Sequence, residues 1–412
     1  MAINAHRAFY REGADDTYLS ALNIDEEDRL ALRAVRDEIR ETLRQGFRDW
    51  EDYLGGQEMF EHAALAKVEF AAAPPPLRPK FKMQGSWSYD TLNRTTHEPP
   101  QEIDLDDGVF LPVSFLSQNG EAHPAVISGA YFAAVEAMLA PICEKRGWTL
   151  SDPKPSCVRV EVRDGAHVDL ALYAIPDDDF AVLIEKAEAS VAFAGALDEQ
   201  IAFTRDVYPR LPSDHIMLAH RDEGWKPSDP RKLEEWFKAA IALHGYQLRR
   251  VCRYLKAWRD HHWGVCRLSS ITLMACTVAA FDQLGSTIDQ TRDDKALLMA
   301  AEQLAMRLNH RVYNPVVAGQ FLDDGWSTEM RREFITEAQE LAAGLRVVLN
   351  GTRAADASAK LCELFGDYLP DDADLLVVES APSILTTGML GDFEKSEEAQ
   401  RSVRLGGDSR VG

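Results

Sequence analysis

Gln101-Glu-Ile-Asp-Leu-Asp-Asp-Gly108 is the stretch on which the fold turns. Ile103 and Leu105 alternate with Asp104 and Asp106, so a strand puts the two carboxylates on one face and the two apolar side chains on the other. Val109–Phe115 continues as an apolar strand, and Asp107, just before Gly108, reads as a turn residue. Two carboxylates held a few ångströms apart repel, and one takes a proton unless a cation intervenes. Hard oxygen donors shared with substrate phosphates suit Mg²⁺. A third acid, Asp169, sits in His167-Val-Asp-Leu170, where Val168 and Leu170 face the other way. Three carboxylates from two strands can hold two metal ions about 4 Å apart, the arrangement of in-line phosphoryl transfer. Standing alone, an Asp-x-Asp pair is as readily a surface strand or turn; its neighbours give it weight.

Upstream lies Gln84-Gly-Ser-Trp-Ser-Tyr-Asp90, where a Gly-Ser pair entering a helix offers N–H groups and a hydroxyl to phosphate oxygens. Further back, Leu32, Val35, Ile39, Leu43, Phe47, Trp50 and Leu54 recur at helical spacing and predict a long helix over 26–54, with Asn23 and Asp25 as caps. The Pro-rich Ala72–Pro79 ends that pattern. Downstream, Val126–Lys145 reads as a helix. Val158, Val160 and Val162 mark a half-buried strand, and Arg163-Asp-Gly-Ala turns into the next strand over His167–Tyr173. Beyond about residue 215 the pattern is helical, over 229–260, 268–284, 292–310, 326–348 and 354–366, with Asp229-Pro230 as a cap and first-turn proline. Lys256 and, fourteen residues on, Ser270 at a helix start make a triphosphate clamp, against the plainer readings of a solvated lysine and an ordinary cap. The predicted fold is α+β: a mixed-sheet lobe over 1–215 with an N-terminal spine helix, a helical lobe over 216–380, and a flexible tail over 381–412.

Composition narrows the function. Of 412 residues 46% are hydrophobic, yet the longest nearly unbroken apolar run, Ile271–Phe281, is too short to cross a bilayer. The opening residues lack a basic-then-apolar signal design, so a soluble cytoplasmic protein with no membrane association is expected. Six scattered cysteines, none in a C-x-x-C pair, argue against a disulfide framework or structural zinc. A net charge of −22 argues against gripping a nucleic-acid backbone. Arg249, Arg250, Arg253, Lys256, Arg259 and Arg267 crowd one segment opposed only by Asp260, as a local anion pocket would require.

The order Gly-Ser, Asp-x-Asp, third acid resembles the DNA-polymerase-β-like nucleotidyltransferase superfamily. QGSWSYDTLNR (Gln84–Arg94), QEIDLDDG (Gln101–Gly108), HVDLALYAIP (His167–Pro176), SDP (Ser228–Pro230) and RRVCRYLKAWRD (Arg249–Asp260) resemble its cGAS/DncV-like bacterial branch over roughly residues 20–310. The resemblance implies two Mg²⁺ ions on Asp104, Asp106 and Asp169. It implies Gln84, Gly85 and Ser86 near phosphates, and Tyr89 against a nucleobase. Arg159 and Ser228 become nucleotide contacts, Lys256 and Ser270 the donor-triphosphate pair, and Trp87 and Trp258 packing residues. The implied reaction joins ATP and GTP into 3′,3′ cyclic GMP-AMP, a second messenger of antiphage defence. Conjugation through Gly412 by an E1/E2-like partner is a further implication. The chain departs from the branch in a hairpin one residue shorter between Arg159 and Asp169, and residues 311–325 match no pattern that would set base selection. Rival readings are a template-independent nucleotide-adding polymerase, a synthase of another cyclic nucleotide, and an inactive nucleotide-binding protein. A glycosidase is disfavoured, because two acids one residue apart are poorly placed to flank a sugar bond.

Overall fold

A computed structural model describes residues 2–50, 53, 77–118, 121–191 and 199–379. Leu54, the first part of the Pro-rich stretch, the tail over 381–412 and Gly412 lie outside the described residues.

The first lobe is a mixed sheet covered by helices. Its strands are β2 (Lys80–Met83), β3 (Ile103–Val113), β6 (Thr149–Leu150), β7 (Cys157–Arg163), β8 (Ala166–Pro176), β9 (Met217–His220) and β10 (Gly224–Pro227). A separate hairpin, β4 (Phe115–Gln118) and β5 (Glu121–Pro124), follows β3. At the centre β3 and β8 run parallel, with Ile103 opposite Ala166 and Asp106 opposite Asp169. The free edge of β8 pairs first with β7 and then with β9, while β2 flanks β3. Leu105, Val109 and Leu111 of β3 and Val168, Leu170 and Leu172 of β8 share one buried face. It packs on α3 (Glu26–Arg48) and α5 (Ser128–Arg146), through Leu32, Ile39, Leu43 and Phe47 of the former and Tyr131, Phe132, Val135 and Leu139 of the latter. Each such side chain, taken fully out of water, contributes about 1.5–3 kcal/mol. The acids therefore take the opposite, open face. Past the end of β8, α6 (Asp177–Val191) adds Phe180 to a small core with Phe110 and Tyr173, and Gln200 of α7 (Glu199–Ala202) bonds the main chain of Phe81.

The second lobe gathers α8 (Arg231–His244), α9 (Tyr246–His262), α10 (Ser270–Leu284), α11 (Asp293–Arg307), α12 (Thr328–Leu349) and α13 (Ala354–Phe365) around a separate core. The α+β, two-lobed plan read from the sequence holds, but three details change. The single helix expected over 229–260 is two, because Gly245 takes φ +83° and ψ 173°, which no helix accommodates. The boundary expected after 215 falls inside the sheet, since β9 and β10 hydrogen-bond into it. Residues 2–22, assigned to the first lobe by sequence, pack in the second. There β1 (Ala2–Asn4) pairs with β11 (Val377–Glu379), and Phe9 and Tyr18, on the short helices α1 (His6–Phe9) and α2 (Tyr18–Ala21), lie against Tyr254 and Phe365. The Ala5 N–H donates to the buried Asp294 at 2.7 Å, fastening this segment to α11.

Between the lobes runs the segment from Tyr89 to Gln101. Asn93 exchanges hydrogen bonds with Arg253 and its main-chain carbonyl, and the Gln101 amide donates to the carbonyls of Asp260 and Trp263. Tyr368 donates to the Thr95 carbonyl, and the Arg94 N–H to that of Leu22.

Candidate active site

Parity and register assemble the acidic cluster. Asp104 and Asp106 project from the open face of β3, and His167 and Asp169 stand directly opposite them on β8. From the other side β7 places Arg159 opposite Asp169, and its guanidinium forks onto that carboxylate at 2.7 and 2.6 Å. One ligand atom from each of Asp104, His167 and Asp169 lies within 4.8 Å of the others. Asp106 feels the pull of His167 and Arg159, but more weakly than what opposes its charge. Burial, then the charges of Asp104 and Asp169, push its carboxyl up to about 7. His167 donates from Nδ1 to Glu102 at 2.5 Å, and its Nε2 lies 3.1 Å from Asp104 Oδ1. Burial opposes charging this ring, yet the Asp104 carboxylate raises its pKa overall. Asp104 Oδ1 is itself buried and makes no aligned hydrogen bond. Three converging carboxylates, one with its proton held up to neutral pH and one with an unsatisfied buried oxygen, fit a divalent cation with oxygen donors.

Above the cluster, β2 ends in the tight loop Gln84–Tyr89. A Cβ on Gly85, which has φ +60°, would sit 1.8 Å from Asp106 Oδ2, so only glycine lets this loop close over the acids. The one-turn helix α4 (Gly85–Ser88) then carries Ser86 and Trp87, the ring of the latter half-buried beneath Arg29 and Arg33. The Gln84 side chain does not reach forward. It accepts from the Tyr173 hydroxyl at 3.3 Å and lies over Gly108, so it supports the loop from beneath.

Gly85, Ser86, Tyr89, Asp104 and Asp106 form one wall of a cavity of about 420 Å³; Lys256, Arg259 and Ser270 from α9 and α10 form part of the other. Tyr89 meets Phe237 edge-on at 6.1 Å between ring centres. Lys256 is buried and donates to the Thr91 carbonyl at 2.5 Å. Its burial, aided by Arg259, lowers its pKa to about 8. The capping role belongs to Ser269, whose hydroxyl accepts from the Thr272 N–H. That leaves the Ser270 hydroxyl in the cavity, accepting from Arg259 at 3.1 Å.

Of the residues singled out in the sequence, Gly85, Ser86, Tyr89, Asp104, Asp106, Lys256 and Ser270 line this cavity, and Asp169 and Arg159 join it through the acidic cluster. Ser228 sits apart, where β10 gives way to α8, its N–H donating to the Ile216 carbonyl. Asp107 is not a turn residue. It lies mid-strand on the helix-facing side, fully buried, gripped at 2.6 Å by both arms of Arg40 from α3. The basic crowd also divides: Arg250 forks onto buried Asp293 at 2.6 and 2.7 Å, Arg249 meets Asp90, and Arg253 bonds to Asn93 and Asn23. Only Lys256 and Arg259 of that crowd face the cavity. In the stretch 311–325, Asp323 is buried and paired with Arg311 and Arg331, a structural arrangement. Sequence reasoning passed over Glu102 and His167 as site residues, and placed Arg259 only within the basic crowd. For His167 the signal was present, since it shares the strand parity of Asp169.

The family model described as cyclic GMP-AMP synthase DncV-like, nucleotidyltransferase domain, matches residues 79–173, and that described as cyclic GMP-AMP synthase, C-terminal domain, matches 245–379. The chain belongs to the DncV-like nucleotidyltransferases. The second match carries the likeness well beyond residue 310, where the sequence resemblance faded. A cyclic GMP-AMP synthase from Vibrio cholerae is 34% identical over 62% of this chain, and one from Escherichia coli is 32% identical over 68%. The chain spans 58% and 65% of the lengths of these two relatives. Among solved structures, a mutant of the V. cholerae di-nucleotide cyclase DncV superposes with a TM-score of 0.75 at 25% identity, covering 92% of this chain and all of that one. A DncV complex with the linear intermediate 5′ pppA(3′,5′)pG superposes with a TM-score of 0.73 at 25% identity over the same shares. All six cysteines are free thiols, and among the described residues no helix is long and apolar enough to cross a membrane.

Proposed function

We propose that this chain joins ATP and GTP into cyclic GMP-AMP, with 3′,3′ linkage, by nucleotidyl transfer at Asp104, Asp106 and Asp169. One observation carries the reading: Asp104 and Asp106, with Asp169 beside them, form the wall of a cavity whose other side presents Lys256, Arg259 and Ser270. The relatives support the choice of substrates. Two bear the name cyclic GMP-AMP synthase, and solved DncV structures hold GTP or the linear intermediate.

Two Mg²⁺ ions held by Asp104, Asp106 and Asp169 would neutralise the triphosphate and ease ionisation of the attacking hydroxyl. The chain's own groups do the rest. Gly85 and Ser86 orient phosphate oxygens, with Gln84 bracing the loop from below. Lys256, released from the Thr91 carbonyl, and Ser270 hold the donor triphosphate, and Tyr89 offers its ring to a base. Arg159 and Ser228 complete the nucleotide contacts, Arg159 after yielding Asp169. The 3′-hydroxyl of one nucleotide attacks the α-phosphorus of the other, a P–O bond forms and pyrophosphate leaves. The same transfer, repeated on the turned-round linear product, closes the ring. We place the product in antiphage signalling in the cytoplasm. The net charge of −22 speaks against the rival that extends RNA.

The test is mass spectrometry of products formed from an equal mixture of the four nucleoside triphosphates with Mg²⁺ and no RNA. Cyclic GMP-AMP is the expected product. Another cyclic nucleotide would revise the substrates, extended homopolymer would favour the polymerase, and no turnover would favour the binding protein.

A further inference from the structure

Glu102 and His167 have no part in the transfer as derived so far, yet their geometry gives them one. The parallel register sets His167 directly opposite Asp104, and the Ile103 N–H bonds the Gly165 carbonyl at 2.8 Å where the two strands begin. The His167 side chain is only 5% exposed. Its Nδ1 donates to Glu102 at 2.5 Å, which fixes the ring plane and leaves Nε2 3.1 Å from Asp104 Oδ1, an ion-pair contact rather than an aligned hydrogen bond. A histidine serving only the core would satisfy itself on main-chain groups; here both ring nitrogens face carboxylates. Asp104 needs such a tether, because its side chain is 44% exposed and sits beside two like charges. Left free, it would rotate towards water and away from Asp106 and Asp169.

We propose that Glu102 and His167 are a positioning pair that holds Asp104 in the orientation needed to ligate a divalent cation. Carboxylate–histidine supports of this kind fix the direction of a ligand without being consumed in the reaction. The inference rests on the reading of Asp104 as a metal ligand, and the experiment separates the two.

Mn²⁺ is titrated into nucleotide-free protein and the free ion read by electron paramagnetic resonance, for wild type, Glu102→Ala, Glu102→Gln, His167→Phe and Asp104→Ala. Glu102→Ala and His167→Phe are expected to weaken Mn²⁺ binding by roughly 10-fold or more. Glu102→Gln, whose amide oxygen still accepts from Nδ1, should bind close to wild type. In turnover assays, half-saturation by Mg²⁺ should rise in the two weakened variants while the KM for nucleotide at saturating Mg²⁺ stays put. Unchanged Mn²⁺ affinity in Glu102→Ala overturns the proposal, as does a loss that Glu102→Gln shares in full. Should His167→Phe fail to fold, the partly exposed Glu102 variants decide alone. Absence of Mn²⁺ binding in wild type would sink the metal site itself, whereas wild-type binding matched by Glu102→Ala would sink only the positioning pair.

Discussion

Asp106 and Asp107 are neighbours on one strand and live in opposite worlds. Asp107 faces the helices, is sealed from water, and has its charge met by both arms of Arg40. Asp106 faces the cavity with two more carboxylates beside it and no arginine of its own, and its proton is held up to about 7. The sheet thus sets the same side chain in two surroundings: Asp107 is tied to Arg40, although burial still raises its carboxyl, and Asp106 is left beside two like charges.

Substitutions on the two faces should fail differently. Asp104→Ala with Asp106→Ala is expected to reduce product to background while circular dichroism stays near wild type and melting is no lower. Asp107→Ala strands the Arg40 charge in the interior and should cost about 3–5 kcal/mol of stability, with activity per folded molecule retained. Full activity in the double variant, or an unchanged melt in Asp107→Ala, would erase the contrast. A smaller effect sharpens it. Because the folded-state pKa of Asp106 is raised, the folded protein binds more protons than the unfolded chain between the ordinary carboxylate range and about 7. Stability from this group therefore falls as pH rises through that window. Asp106→Asn in metal-free protein should melt higher than wild type at pH 8, and the gap should close towards pH 4. The smallest effect concerns Lys256, whose pKa of about 8 means that it sheds its charge as pH climbs past that value. The KM for triphosphate should then rise above pH 8, and Lys256→Arg should flatten the rise; identical profiles would remove Lys256 from the clamp.

Much of this was legible from residue order. Alternation in Ile103–Asp106 and Val158–Val162 gave the strands, because a sheet with one buried face imposes period two on its sequence. Lys256 and Ser270 do line one cavity, a pairing that the family resemblance implied, while the cap of that helix is Ser269. Asp107 was misread because Asp-Gly resembles a turn, while its real partner, Arg40, lies 67 residues upstream. The break at Gly245 was visible in the letters, but the apolar periodicity on either side overrode it. The membership of residues 2–22 in the helical lobe depends on β1 finding β11 some 375 residues away, a contact no local pattern announces.

The seam between Tyr89 and Gln101 has a mechanical consequence. Its bonds to the second lobe end largely on fixed main-chain carbonyls, those of Arg253, Asp260 and Trp263 among them. Such stitching resists the jaw-like opening by which many two-lobed enzymes admit and discharge their cargo. On the two-step reaction proposed above, a half-made product would turn within a chamber of about 420 Å³, and the size of that chamber, rather than the swing of a hinge, would limit which molecules can make the turn.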